Sequence, residues 1–149
     1  MAMDIASKIN SPWWALRVAL GLGAFLAGLD KFFNILTNWN MYLSPLAEHL
    51  LPESGHTFMP AVGVVEMLVG LAILTRWTRV AAYMAAIWLA SIALNLVTTG
   101  MFFDLAVRDI EMAVAAYALA RLTEARALIQ RSDGLHSVVQ DQASPGRAA

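Results

Sequence analysis

Residues 80–98 read VAAYMAAIWLASIALNLVT, a run without one formal charge. A helix that crosses a bilayer needs about 20 consecutive, mostly apolar residues, because each adds about 1.5 Å and the hydrocarbon core is about 30 Å thick. This stretch meets that requirement by itself. Reading outward from it, three more apolar runs follow the same rule: residues 13–36, 58–74 and 103–122. The second of the four is the shortest and carries Glu66 near its middle.

Composition supports the same reading. Of 149 residues, 59% are hydrophobic and only 14% charged, against about 25% charged in soluble domains. Mean hydropathy is +0.60. The length suits one domain. A net charge of −1 gives no basic field for nucleic acid. The chain has no cysteine, which excludes disulfides, thiol redox chemistry and thiolate-held metal clusters. The first apolar run opens with Trp13-Trp14 and is too long for a signal-peptide core, so no cleavable signal is read there.

The breaks between runs are well marked. Ser11-Pro12 reads as the start of the first helix, and Pro52, Ser54, Gly55 and Pro60 interrupt the stretch before the second. Arg76-Trp77-Thr78-Arg79 is a tight polar turn, and Thr98-Thr99-Gly100 ends the third run. Residues 41–51 read either as a short helix lying on the outer interface or capping the bundle, or as an ordinary connection. Beyond Arg131 the composition turns to Ser, Asp, Gln, Gly and Pro, so residues 132–149 read as a flexible tail. The expected fold is all-α: a membrane-spanning four-helix bundle over residues 1–131 plus that tail.

Orientation comes from the basic residues, which favour the cytoplasmic side. With four spans, Lys8, Arg76, Arg79, Arg121, Arg126, Arg131 and Arg147 share one side, and the loops at 37–57 and 100–101 hold no Lys or Arg. Both termini are therefore expected in the cytoplasm. Trp13, Trp14, Trp39, Tyr42 and Trp77 fall near the expected interfaces, as an aromatic belt does.

Several ionisable residues fall inside the spans, among them Arg17, Asp30, Lys31, Glu66, Arg108, Asp109 and Glu111. At the bilayer centre each costs about 2.5–3.5 kcal/mol on insertion scales, so such groups pair or face a hydrated cavity. Lys31, Glu66, Asn95, Arg108 and Asp109 all belong to the outer half by residue count. Arg17, Gly21, Ala24, Gly28 and Lys31 form one stripe, and Gly63, Glu66 and Gly70 a second. Small residues there let helices approach closely. Met84, Trp88, Ser91 and Asn95 align on the third helix, and Asp104, Arg108 and Glu111 on the fourth. The expected ion pairs are Lys31 with Glu66, and Arg108 with Glu111 or Asp109. They either fix helix packing or line a polar pocket. Arg17, near the cytoplasmic end, can snorkel.

No histidine lies within a span, which argues against a membrane haem held by paired histidines. Glu48, His49, Glu53 and His56 match no strong ligand spacing, so no metal is expected. Phe32 and Phe33 beside Lys31 can flank a quinone ring, although such aromatics are more often core or lipid contact.

The stretch from Arg17 to Phe32, RVALGLGAFLAGLDKF, the run Glu66-Met-Leu-Val-Gly70-Leu71, and Asp109 resemble the DoxX family of small four-helix bacterial membrane proteins. The resemblance covers roughly residues 13–122. It implies a four-helix bundle in the bacterial cytoplasmic membrane, and Arg17, Lys31, Glu66 and Asp109 match the positions of that family's polar core. Some members are associated with quinone-linked sulfur oxidation or redox-stress complexes.

Three functions are consistent with these readings. The first is a membrane subunit of a quinone-linked oxidoreductase or electron-transfer complex. Lys31 and Arg108 would polarise the quinone carbonyls, Asn95 would line the pocket, and Glu66 or Asp109 would exchange protons. No redox centre is intrinsic to the chain, so electrons would come from a partner. The second is a non-catalytic accessory or scaffold subunit on a larger complex, with Lys31, Glu66, Arg108, Asp109 and Glu111 in structural ion pairs. The third is an oligomeric transporter of a small solute. The expected partners are the lipid bilayer with other membrane subunits or further copies of the chain.

Overall fold

The computed structural model describes residues 2–45 and 55–143. Four α-helices follow in order: α1 (Ala2–Phe33), α2 (Gly55–Leu74), α3 (Thr78–Thr98) and α4 (Phe103–Ala143). A single 3-10 turn, Trp39–Tyr42, follows α1, and no strand occurs among the described residues. The all-α class expected from sequence is therefore observed.

Element boundaries differ from the sequence reading in physically instructive ways. α1 starts well before Pro12 and runs through it. Proline has a helical φ, so its penalty inside a helix centres on one lost hydrogen bond and one crowded carbonyl. α1 stops at Phe33 rather than residue 36 because Asn34 takes a left-handed conformation (φ 51°), which asparagine tolerates at a helix C-terminus. The Asn34 amide donates to the Asp30 carbonyl at 2.7 Å. α4 continues to Ala143, through the residues read as the start of a flexible tail. No proline falls within that stretch, the next one being Pro145, so nothing there removes a helical hydrogen bond. The short outer helix expected at 41–51 falls largely outside the described residues, as do Glu48, His49 and Glu53. The side chain of His56 does too.

Glycines bring α1 and α2 together at two levels. A Cβ built on Gly28 would lie 2.5 Å from the Gly63 carbonyl oxygen, and one on Gly63 would lie 2.6 Å from that of Gly28. One on Gly70 would meet the Gly21 carbonyl oxygen at 2.6 Å. Both glycine pairs are seven residues apart on their helices, so the antiparallel backbones touch across two turns. α3 packs chiefly on α4, and contacts of α1 with α4 and of α2 with α3 join the two pairs.

The core is built from small residues. Ala81, Ala82, Ala85, Ala116, Leu119 and Ala120 are buried, together with Trp13, Leu20 and Ile73. Large apolar side chains point outward instead: Leu26, Leu68, Ile87, Leu94 and Val114 are all more than half exposed. Water-soluble bundles put their large aliphatic residues inside, whereas helices packed in lipid put small residues at the contacts. Residues 7–33 and 78–98 are long and apolar enough to cross a membrane, and Phe58–Leu74 is apolar but shorter.

At the end of the bundle holding the α2–α3 turn, Arg17 closes the C-terminus of α2. Its Nε donates to the Ile73 carbonyl at 3.0 Å, and Nη2 donates to those of Leu74 and Thr75 at 2.7 and 2.6 Å. These are carbonyls that a helix end leaves without intrahelical donors. The Trp13 indole donates to Thr123 Oγ1 at 2.8 Å. Arg17 and Arg126 lie 4.7 and 4.1 Å from the Trp13 ring centroid.

Candidate polar site at the end of the bundle opposite the α2–α3 turn

The opposite end collects the buried charge. Asp30, Lys31, Glu66 and Asp109 are each less than 9% exposed, which is unusual for charged side chains. The last turn of α1 supplies Asp30 and Lys31, α2 supplies Glu66, and α4 supplies Asp109.

Lys31 is at the centre. Its Nζ lies 2.5 Å from Glu66 Oε2 and 3.8 Å from the Trp39 ring centroid, over the ring face. The ammonium thus has a carboxylate partner and an aromatic one. Gly28 and Gly63 make this possible, because their backbone contact sets Lys31 and Glu66 opposite each other. Lys31 is also close enough to Asp109 for its charge to act on that carboxylate.

Asp30 shapes the wall of the site. Its Oδ1 accepts the amides of Ile35 and Leu36 at 3.0 and 3.1 Å, and Oδ2 accepts the Trp39 indole N–H at 2.8 Å. The carboxylate ends α1, turns the chain back and aims Trp39 over Lys31. Asn95 fixes the next segment. Its Nδ2 donates to the Tyr42 carbonyl at 2.8 Å, and its Oδ1 accepts the Ser44 amide at 3.3 Å. The Tyr42 ring then packs edge-on against Phe102 with centroids 4.9 Å apart.

Asp109 has weaker company. The Arg108 Nη2 lies 3.4 Å from its Oδ1, and the Arg108 side chain is 59% exposed. Glu111 is exposed and forms no ion pair among the described residues. The Trp88 indole nitrogen is the one buried side-chain polar atom without a partner among the described residues.

The residues singled out from sequence therefore separate into four places. Lys31 and Glu66 pair, and Asp109 is buried on α4 within reach of the Lys31 charge. Asn95 ties the loop to α3. Arg108 and Glu111 lie on the outside of α4, and Arg17 stands at the other end of the bundle. Phe32 and Phe33 line an open groove with Leu29, Val64, Leu68 and Leu71 whose lining is wholly apolar. Asp30 and Trp39 were not recognised as parts of the cluster from sequence. The signal for Asp30 was its place four residues before Asn34, a residue type that often ends helices in the left-handed region.

Among the described residues no group of three or more His, Cys, Asp or Glu side chains is arranged to hold a metal ion. A family model described as DoxX matches residues 13–103, more than half of the chain. No curated protein matches the chain, and no solved structure does.

Proposed function

The chain belongs to the DoxX family and is a membrane protein; from that premise we propose that all four helices cross the bacterial cytoplasmic membrane, with both termini in the cytoplasm. The inverted exposure of large and small apolar residues supports four spans. The placement of Arg76, Arg79, Arg121, Arg126 and Arg131 at one end supports the orientation.

Within that frame the protein acts as a non-catalytic accessory subunit of a membrane assembly, and its buried charges hold the bundle in register. One observation carries this reading: the Lys31–Glu66 pair is closed on itself, with the ammonium between a carboxylate and an indole face. Buried pairs of this kind fix geometry more than they add stability. The test is a double-mutant cycle with Lys31→Met and Glu66→Met, scored by assembly in native membranes and by stability in detergent. Each single change should disrupt both, and the double change should restore both. A double variant as defective as the worse single one sinks the structural role.

A second reading rests on Asp109. A quinone-linked subunit needs a protonatable group near the site of chemistry, and Asp109 is buried with one weak cationic partner. Electrons would come from a redox partner, and Asp109 would pass a proton. Its test is binding of a short-chain quinone to the purified protein, wild type against Asp109→Asn. Equal binding by both, or none by either, removes this reading.

A further inference from the structure

One face of α4 is unfinished. Val107, Val114, Leu128 and Leu135 are each between 59% and 69% exposed; they stand seven residues apart along one helix of 41 residues, with exposed Arg121, paired to Glu124 of its own helix at 2.8 Å, at the middle position of the same register. Glu111 lies within the same stripe, Arg108 borders it, and both are exposed. Seven-residue spacing marks the seam of paired helices.

The surroundings of this face change along its length. Glu111 is eight residues into α4, about 12 Å from its outer end, and about 18 Å from Thr123 at the inner end. An exposed carboxylate at that depth faces lipid, where a lone charge is strongly disfavoured. Leu128 and Leu135 lie beyond Thr123, where the surroundings are aqueous. Lipid suits Val107 and Val114 but not Glu111. Water suits Glu111 but not a repeating leucine edge. A second helix carrying the same stripe suits the four apolar residues and Glu111, while each Arg121 keeps Glu124 of its own helix as its partner.

We propose that a second copy of this chain packs in parallel on the exposed face of α4, with Arg108 of each copy facing the other copy's Glu111. The charges select the occupant. Two copies inserted in the same orientation are related by an axis along the membrane normal, so like residues meet at like depth. A two-fold contact is self-complementary, and one Arg108 and one Glu111 from each copy neutralise one another. Beyond the membrane the same seam continues through Leu128 and Leu135. The inference rests on α4 spanning the membrane but not on the role given to Lys31 and Glu66.

The chain has no cysteine, so single cysteines report the contact directly. Val114→Cys and Leu128→Cys are oxidised with copper phenanthroline in native membranes, with Leu68→Cys on the exposed face of α2 as the control. Disulfide-linked dimer is expected from the two α4 positions and not from the control. In the Leu128→Cys chain, adding Glu111→Arg should lower the dimer yield about tenfold, and adding Arg108→Glu as well should restore it. Alkaline extraction of the same membranes reports insertion separately. Inserted protein that yields no dimer at either α4 position overturns the proposal. So does equal cross-linking through Leu68→Cys, cross-linking of α4 to a different protein, or a yield indifferent to Glu111→Arg.

Discussion

Replacing Gly28 by alanine adds one methyl group where two backbones already touch. The new Cβ would lie 2.5 Å from the Gly63 carbonyl oxygen, 2.9 Å from the Met67 amide nitrogen and 3.0 Å from Glu66 Cβ. Two of these neighbours are backbone, so no rotamer change relieves the contact. The helices must separate by nearly 1 Å to reach ordinary van der Waals distance. Overpacking of this kind costs about 1–3 kcal/mol, and alanine's better helix propensity returns about 0.5–1 kcal/mol. The expected net loss is about 1–2 kcal/mol. Gly23 provides the control on the same helix, because a Cβ there meets nothing within 4 Å. Gly23→Ala should leave stability unchanged or raise it by up to about 1 kcal/mol. Equilibrium unfolding in mixed micelles of mild detergent and dodecyl sulfate, followed by tryptophan fluorescence, compares the two directly. A Gly28→Ala protein as stable as Gly23→Ala would refute the close approach of α1 and α2.

Three further outcomes are expected. Lys31→Met or Glu66→Met alone should destabilise by about 3–5 kcal/mol in that unfolding assay, and the pair together should be near neutral or stabilising. Trp39→Leu removes the ring over Lys31 and the indole donor to Asp30, and should lower stability by about 1–3 kcal/mol without preventing insertion. Arg17→Gln takes the donors from three carbonyls at the end of α2 and should cost about 1–3 kcal/mol. Its effect should appear first as faster hydrogen exchange in the α2–α3 turn, the segment that loses its cap.

The four apolar runs were legible because length and apolar composition are both visible in a linear sequence. The Gly28 and Gly63 contact was legible as two stripes of small residues spaced for one helix face. The ends of α1 were less so. Pro12 reads as a start when only its missing N–H is considered, but one absent hydrogen bond does not force a boundary. The cap at Asp30 depends on the left-handed conformation of Asn34, and the role of Trp39 depends on where that cap sends the chain. Helical spacing identified Arg108 and Glu111 as neighbours on one face. It did not show that the face points out of the bundle, because that depends on how α4 rotates against α3.

The two ends of the bundle solve different problems with similar chemistry. At the inner end, Arg17 and Arg126 lie against aromatic faces, and Arg17 serves carbonyls that the end of α2 leaves open. Those groups are near water, so each interaction replaces a hydrated one and adds about 0.5–1 kcal/mol. At the outer end, Lys31 and Glu66 are sealed off, and the loss of either leaves a charge with no solvent to receive it. Charge substitutions at the two ends should therefore differ in kind. Arg17→Lys, which keeps the charge but loses the planar fork, should be tolerated better than Arg17→Gln, while Lys31→Arg should be poorly tolerated. The larger guanidinium must fit the space between Glu66 Oε2 and the Trp39 ring, where Nζ lies 2.5 Å from one and 3.8 Å from the centroid of the other. The check is unfolding stability of the three variants and wild type side by side. If Lys31→Arg proves as stable as wild type, the outer site has room that its geometry does not show, and a pocket there regains its claim over a structural pair.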